Sequence, residues 1–128
     1  MFRALVFLLV LSVPVVASAV DYECKVQKKF DPEKIYTADQ LTKAQFSTKI
    51  DDTSHGAVLS RCSFAMSEKK VTCDRYEVDR VQSDDRVKIK KYYVFRPQFD
   101  IQLFADLSFV ENNGRGDIAF GKCRVVAP

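Results

Sequence analysis

The residues able to do chemistry in this chain are few. Cysteines come first: Cys24, Cys62, Cys73 and Cys123. A thiolate can serve as nucleophile or metal ligand, and two thiols can close a disulfide. No Cys-x-x-Cys pair occurs and His55 is the single histidine, so neither a zinc site nor any other metal or cofactor is expected. An even count suits two disulfides, for which three connectivities are possible. Cys62–Cys73 and Cys24–Cys123 are favoured. The first pair flanks the polar turn Ser67-Glu68-Lys69-Lys70 and would staple one hairpin, while the second would tie the first strand to the last. By loop-closure entropy they contribute about 3 and 4–5 kcal/mol. With all four paired, no thiol nucleophile remains.

Other catalytic constellations are missing. His55 sits in the polar turn Asp51-Asp52-Thr53-Ser54-His55-Gly56, where it reads as a solvated tip residue and not as an oriented general base. No Gly-x-Ser-x-Gly elbow occurs. Asp79, Asp84, Asp85, Asp106 and Glu111 are the notable carboxylates. A glycosidase would need two of them about 5–9 Å apart across a cleft, and calcium would need a ligand spacing that Asp79–Asp85 lacks. Carboxylates at strand ends are ordinarily just solvated. The chain is therefore expected not to be an enzyme.

Two stretches have the chemistry of recognition. In Glu111-Asn112-Asn113-Gly114-Arg115-Gly116, two glycines leave the Arg115 guanidinium uncrowded, and its fork matches a carboxylate or phosphate. Asn112 and Asn113 flank it. The same residues also make a plain turn, because Asn-Gly tolerates the positive φ of a tight hairpin. Tyr92, Tyr93 and Arg96 form the second candidate surface, since Tyr and Arg are favoured interface anchors. Alternation demands that one of the two tyrosines face inward.

The elements that carry these residues are strands. Alternating apolar positions mark runs at Asp21–Val26, Ala44–Ile50, Ala57–Met66, Lys70–Arg80, Val87–Arg96, Phe99–Leu103, Leu107–Phe109 and Ile118–Phe120. The phase slips between Val71/Cys73 and Tyr76/Val78, which predicts a bulge, and Gly121 sets Phe120 out of phase with Cys123, which predicts another. One helix start is clear. Thr37 and Gln40 complete a capping box, with Tyr36 and Leu41 at the staple positions. The helix has room for one or two turns only. The fold class is all-β: about eight antiparallel strands in a small closed barrel, with a sandwich as second choice, and one short helix. Closure would set the first strand beside the last, where Cys24–Cys123 needs them, and would remove sticky edges.

The chain begins Met1-Phe2-Arg3, runs largely apolar from Ala4 to Val16 and then reads Ala17-Ser18-Ala19. This is the layout of a secretory signal peptide over residues 1–19, leaving a single disulfide-bonded domain over 20–128. The apolar run is short for a bilayer, which takes about 20 residues, so no membrane anchor is expected after cleavage. The predicted address is periplasmic or extracellular. Net charge is only +3, and the charges are mixed along the chain, which argues against a nucleic-acid partner.

The early Tyr22-Glu23-Cys24, paired cysteines, export signal and compact antiparallel barrel together resemble the small periplasmic inhibitors of C-type lysozyme and related peptidoglycan-hydrolase inhibitors. The resemblance implies a binding protein whose partner is an envelope protein such as a lysozyme or a lytic transglycosylase. That family uses a Ser-Gly-x-x-Tyr motif and a lysine loop. This chain has no Ser-Gly step, and Lys91-Tyr92-Tyr93-Val94 echoes only the motif's end, so no inhibitory residue is carried over. A partner for a basic lysozyme would also be expected to be acidic, whereas this chain is slightly basic. The alternatives are a small-ligand-binding barrel of the envelope and a carbohydrate-active enzyme.

Overall fold

The computed structural model describes residues 9–12, 19–53 and 55–126. Most of the expected signal peptide lies outside the described residues. Nine strands and one helix follow in the order β1 (Val20–Phe30), α1 (Ala38–Ala44), β2 (Ser47–Thr53), β3 (Gly56–Ala65), β4 (Lys70–Glu77), β5 (Arg80–Asp84), β6 (Ile89–Val94), β7 (Phe99–Leu103), β8 (Ser108–Asn112) and β9 (Ile118–Val126). All pairings are antiparallel, in the single sheet β4-β3-β2-β1-β9-β8-β7-β6-β5.

The sheet curls into a half-barrel and does not close as the sequence led us to expect. Its two edges, β4 and β5, are consecutive in the chain. Val78 N–H still donates to Ala57 of β3, at 3.0 Å, whereas Asp79 N–H donates to Tyr93 of β6, at 2.9 Å. The chain thus exchanges one ladder for the other within a single residue. The edges meet at this corner and are not paired with each other. The β3–β4 register is continuous from Val58↔Glu77 to Ala65↔Lys70. The bulge expected between Val71/Cys73 and Tyr76/Val78 is therefore absent: Tyr76 and Val78 face the core while Val71 and Cys73 lie in the opposite phase of one regular strand. The strand expected to run on to Arg80 instead ends at Glu77 and turns the corner, which raises the count to nine.

The concave side holds the core. Tyr92, Phe99, Phe109, Ile50, Leu59 and Ile101 are its largest fully buried residues, joined by Cys24 and Val26 of β1 and Ala119 and Cys123 of β9. Tyr76 of β4 reaches across the curl to stack edge-on against Phe99 of β7, with ring centroids 4.9 Å apart. Both disulfides have the expected connectivity. Cys24↔Cys123 and Cys62↔Cys73 are direct cross-strand partners, and the first fixes β1 beside β9. Two structural disulfides fit an oxidising, extracytoplasmic compartment.

On β9 the inward set is Ala119, Gly121 and Cys123, so Ile118 and Phe120 face outward, opposite to the alternation expected. Gly121 decides this. A Cβ there would lie 1.9 Å from the Lys25 carbonyl oxygen and 2.7 Å from Phe109 Cε1, so only glycine leaves room for the Phe109 ring. The irregularity sits across from it on β1, where the register skips Gln27 between Val26↔Gly121 and Lys28↔Phe120.

Helix α1 carries the capping box. Gln40 N–H donates to Thr37 Oγ1 at 3.1 Å, and Thr37 N–H donates to Gln40 Oε1 at 2.9 Å. The helix ends at Gln45 in the left-handed region, φ 51°. Leu41 and Phe46 pack against the core cluster, and Tyr36 stacks edge-on against Phe46 at 6.0 Å.

Candidate functional site

The loop around Arg115 is built by its neighbours' side chains. Asn112 Oδ1 accepts from Gly114 N–H at 2.9 Å, and Asn113 Oδ1 accepts from Arg115 N–H at 2.8 Å and Asp117 N–H at 3.0 Å. Asn113 N–H returns a bond to the Asp117 carbonyl at 3.1 Å. The turn is therefore wider than a two-residue hairpin, and its two asparagines are used to hold it. Both serve as scaffold for Arg115, whose side chain is exposed and forms no ion pair among the described residues.

Gly114 docks this loop on the β6–β7 turn. Its φ is +75°, and a Cβ would lie 2.0 Å from the Gln98 carbonyl oxygen. That turn carries Arg96 at its exposed tip beside Phe95, which is 59% exposed. Asp79, at the sheet corner, fixes the turn from below, with its Oδ2 accepting from Phe95 N–H at 2.7 Å. Tyr93 points outward on β6. Its ring centroid lies 6.5 Å from that of Phe95, and the Arg80 guanidinium lies 5.8 Å from it. Its hydroxyl donates to Gln82 Oε1 at 3.2 Å.

The two sequence candidates thus become one rim: Arg115 on one turn, Arg96 and Phe95 on the next, Tyr93 and Arg80 beside them. Tyr92 does not belong to it. It pairs with Ile101 in register, faces the core and is fully buried. Its hydroxyl donates to Asp52 Oδ2 at 2.7 Å, and the same oxygen pairs with Lys90 Nζ at 2.8 Å. Burial, and then that hydrogen bond, push the Tyr92 hydroxyl well above the usual phenol range. Phe95 and Arg80 escaped sequence reasoning. Aromatics occupy both phases of Tyr92-Tyr93-Val94-Phe95, so period-two alternation alone does not assign their faces.

Three of the carboxylates singled out by sequence are occupied locally, and Asp85 is exposed. Asp84 accepts from Arg86 N–H at 2.9 Å, Asp106 accepts from Ser108 N–H at 2.9 Å, and Asp79 serves the Phe95 turn. Hydrogen bonds from the Ser108 hydroxyl and amide hold Asp106 well below the usual carboxylate range, at about 2. Glu111 faces inward, away from Arg115, and pairs with Arg61 of β3 at 2.8 Å. His55 is exposed at the β2–β3 turn.

The rim's side chains have the chemistry to meet an anionic surface. Three arginines and two aromatic rings offer planar, weakly hydrated donors beside apolar surface, the combination that dominates protein interfaces. Comparison with known proteins gives no match: no protein-family model, no curated protein and no solved structure matches this chain.

Proposed function

We propose that this chain is an exported, non-catalytic binding module that docks a carboxylate-bearing envelope protein through the Arg80–Tyr93–Phe95–Arg96–Arg115 rim. One observation carries the reading: the close seat of Gly114 on Gln98 joins two arginine-bearing turns into one preorganised surface. Preorganisation lowers the ordering cost that binding otherwise imposes. The two disulfides, which suit an oxidising compartment, support the extracytoplasmic address.

The specific partner proposed is a peptidoglycan hydrolase, a lysozyme or lytic transglycosylase. Glycosidic cleavage commonly relies on carboxyl groups in a cleft, and an exposed arginine on a stiff turn is suited to reach one. With a net charge of +3, the chain favours hydrolases whose cleft is acidic. A cup that takes a ligand at the centre of the half-barrel is less well supported, because Tyr92, Phe99 and Phe109 fill that centre. The test is inhibition of cell-wall lysis across a panel of lysozymes and lytic transglycosylases, with Arg96→Ala and Arg115→Ala run in parallel. The expected result is slowed lysis by the native protein and loss of the effect in both variants. No inhibition by the native protein anywhere in the panel removes the hydrolase reading.

A further inference from the structure

Strand β1 changes face at its extra residue. Before Gln27, the inward residues are Cys24 and Val26. Beyond it the register is Lys28↔Phe120, Lys29↔Ala119 and Phe30↔Ile118. Ala119 is buried, so Lys29 takes the inner position while Lys28 and Phe30 share the outer face with Phe120 and Ile118. Turning a lysine inward and a phenylalanine outward works against folding. Bulges that re-aim side chains in this way recur beside functional sites.

Lys29 faces a hollow of about 190 Å³, walled also by Phe46, Thr48, Arg61, Asp74 and Glu111. Its ammonium lies 4.1 Å from the Phe46 ring centroid and 5.3 Å from that of Tyr36, and it has no ion pair among the described residues. Arg61 lies over the Phe99 ring, 4.9 Å from its centroid, and pairs with Glu111 Oε1 through Nε at 2.8 Å. Glu111 is only 7% exposed, and its Oε1 receives no well-directed hydrogen bond despite the nearby Nε. The Lys29 ammonium and the Arg61 guanidinium therefore line the hollow together and stay open to solvent, beside a Glu111 carboxylate that is ion-paired but poorly hydrogen-bonded. Buried polar atoms without partners are rare in folded proteins and call for a ligand, water or ion.

We propose that this hollow binds a small carboxylate that also carries a hydrogen-bond donor, such as a hydroxy acid or an amino acid. The carboxylate would bridge the Lys29 ammonium and the Arg61 guanidinium, and the donor would meet the outer oxygen of the Glu111 carboxylate. The volume equals that of about six liquid waters, enough for a molecule of three or four carbons. Within the walls Lys29 and Arg61 are balanced by Glu111 and by Asp74, the cross-strand partner of Arg61, so the hollow as a whole is neutral and suits a ligand that offers a carboxylate at one end and a donor at the other. Burial lowers the Lys29 pKa, and a bound anion would oppose that shift.

Calorimetric titration of the purified protein with L-lactate, L-alanine, acetate, lactamide and inorganic phosphate tests this. Lactate or alanine is expected to bind at least about tenfold more tightly than acetate, which lacks the donor, and lactamide, which lacks the charge. Lys29→Met is expected to weaken that binding at least about tenfold while melting, without ligand, no lower than the native protein. The proposal is overturned if neither lactate nor alanine binds, or if either binds Lys29→Met as tightly as the native protein. Acetate matching lactate would overturn the role of Glu111, and phosphate binding more tightly than both would overturn the carboxylate assignment. The native titration does not depend on the variant folding.

Discussion

Replacing Gly114 tests whether the two arginine turns are held together as described. Two costs arise in Gly114→Ala. The residue sits at φ +75°, where a side chain costs about 1–2 kcal/mol. The new Cβ would also lie 2.0 Å from the Gln98 carbonyl oxygen, 2.9 Å from its carbon and 3.1 Å from Gln98 Cβ. Non-bonded contacts of this kind belong at about 3.5 Å, so the turns must part by about an ångström. The first obstacle is backbone, and overpacking against a neighbour that cannot rotate away costs about 1–3 kcal/mol more. The sum, about 2–5 kcal/mol, should lower Tm by roughly 10 °C or more in a domain of this size. Gly114→Asn separates the two costs. Asparagine tolerates the left-handed region, so most of the φ cost vanishes while the clash stays, and Tm should still fall by about 5 °C. Thermal melting followed by circular dichroism reads both. If Gly114→Asn melts with the native protein, the contact with Gln98 is not what fixes the rim, and the preorganisation argument fails.

Further expectations follow from the same geometry. Arg115→Ala removes an exposed side chain with no ion pair among the described residues, so unfolding in urea should shift by under about 0.5 kcal/mol while partner binding weakens. Tyr92→Phe keeps the buried ring but strips Asp52 of one donor, leaving Lys90, and should cost about 1–2 kcal/mol by equilibrium unfolding. Asp106 has a folded-state pKa of about 2, below its ordinary 3.8. Its stabilising contribution is therefore complete above pH 3.8 and is lost as pH falls through about 2. Ser108→Ala should move the Asp106 titration, followed by NMR, up toward the ordinary value. Removing the Cys24–Cys123 bond, which spans 99 residues, should cost about 1–2 kcal/mol more than removing Cys62–Cys73, which spans 11, as measured by denaturant unfolding of the paired Cys→Ala variants.

Features that depend on short stretches of chain were legible in the sequence. The capping box of α1 needs only Thr37 and Gln40 three residues apart, and it forms as read. Most strands alternate visibly, and cysteines flanking a hairpin or lying in the first and last strands have few geometrically sensible partners. The Asn112–Arg115 stretch was legible as a turn, because asparagine side chains cap nearby backbone whatever surrounds them.

Tertiary structure decided which face each residue shows and which turns meet. Period-two alternation assigns faces only when one phase is polar. Tyr92-Tyr93-Val94-Phe95 and Ile118-Ala119-Phe120-Gly121 offer apolar residues in both phases, so packing chose. Tyr92 turned in to meet Asp52, and Gly121 turned in because the Phe109 ring needs the space a Cβ would take. The skip at Gln27, which brings Lys29 inside, arises from pairing β1 with a strand more than ninety residues away and leaves no mark on local pattern. The corner at Val78–Asp79 likewise needs two ladders to compete for one segment. The seat of Gly114 on Gln98 joins residues of different hairpins, and only the curl of the whole sheet brings Arg115 and Arg96 onto one rim.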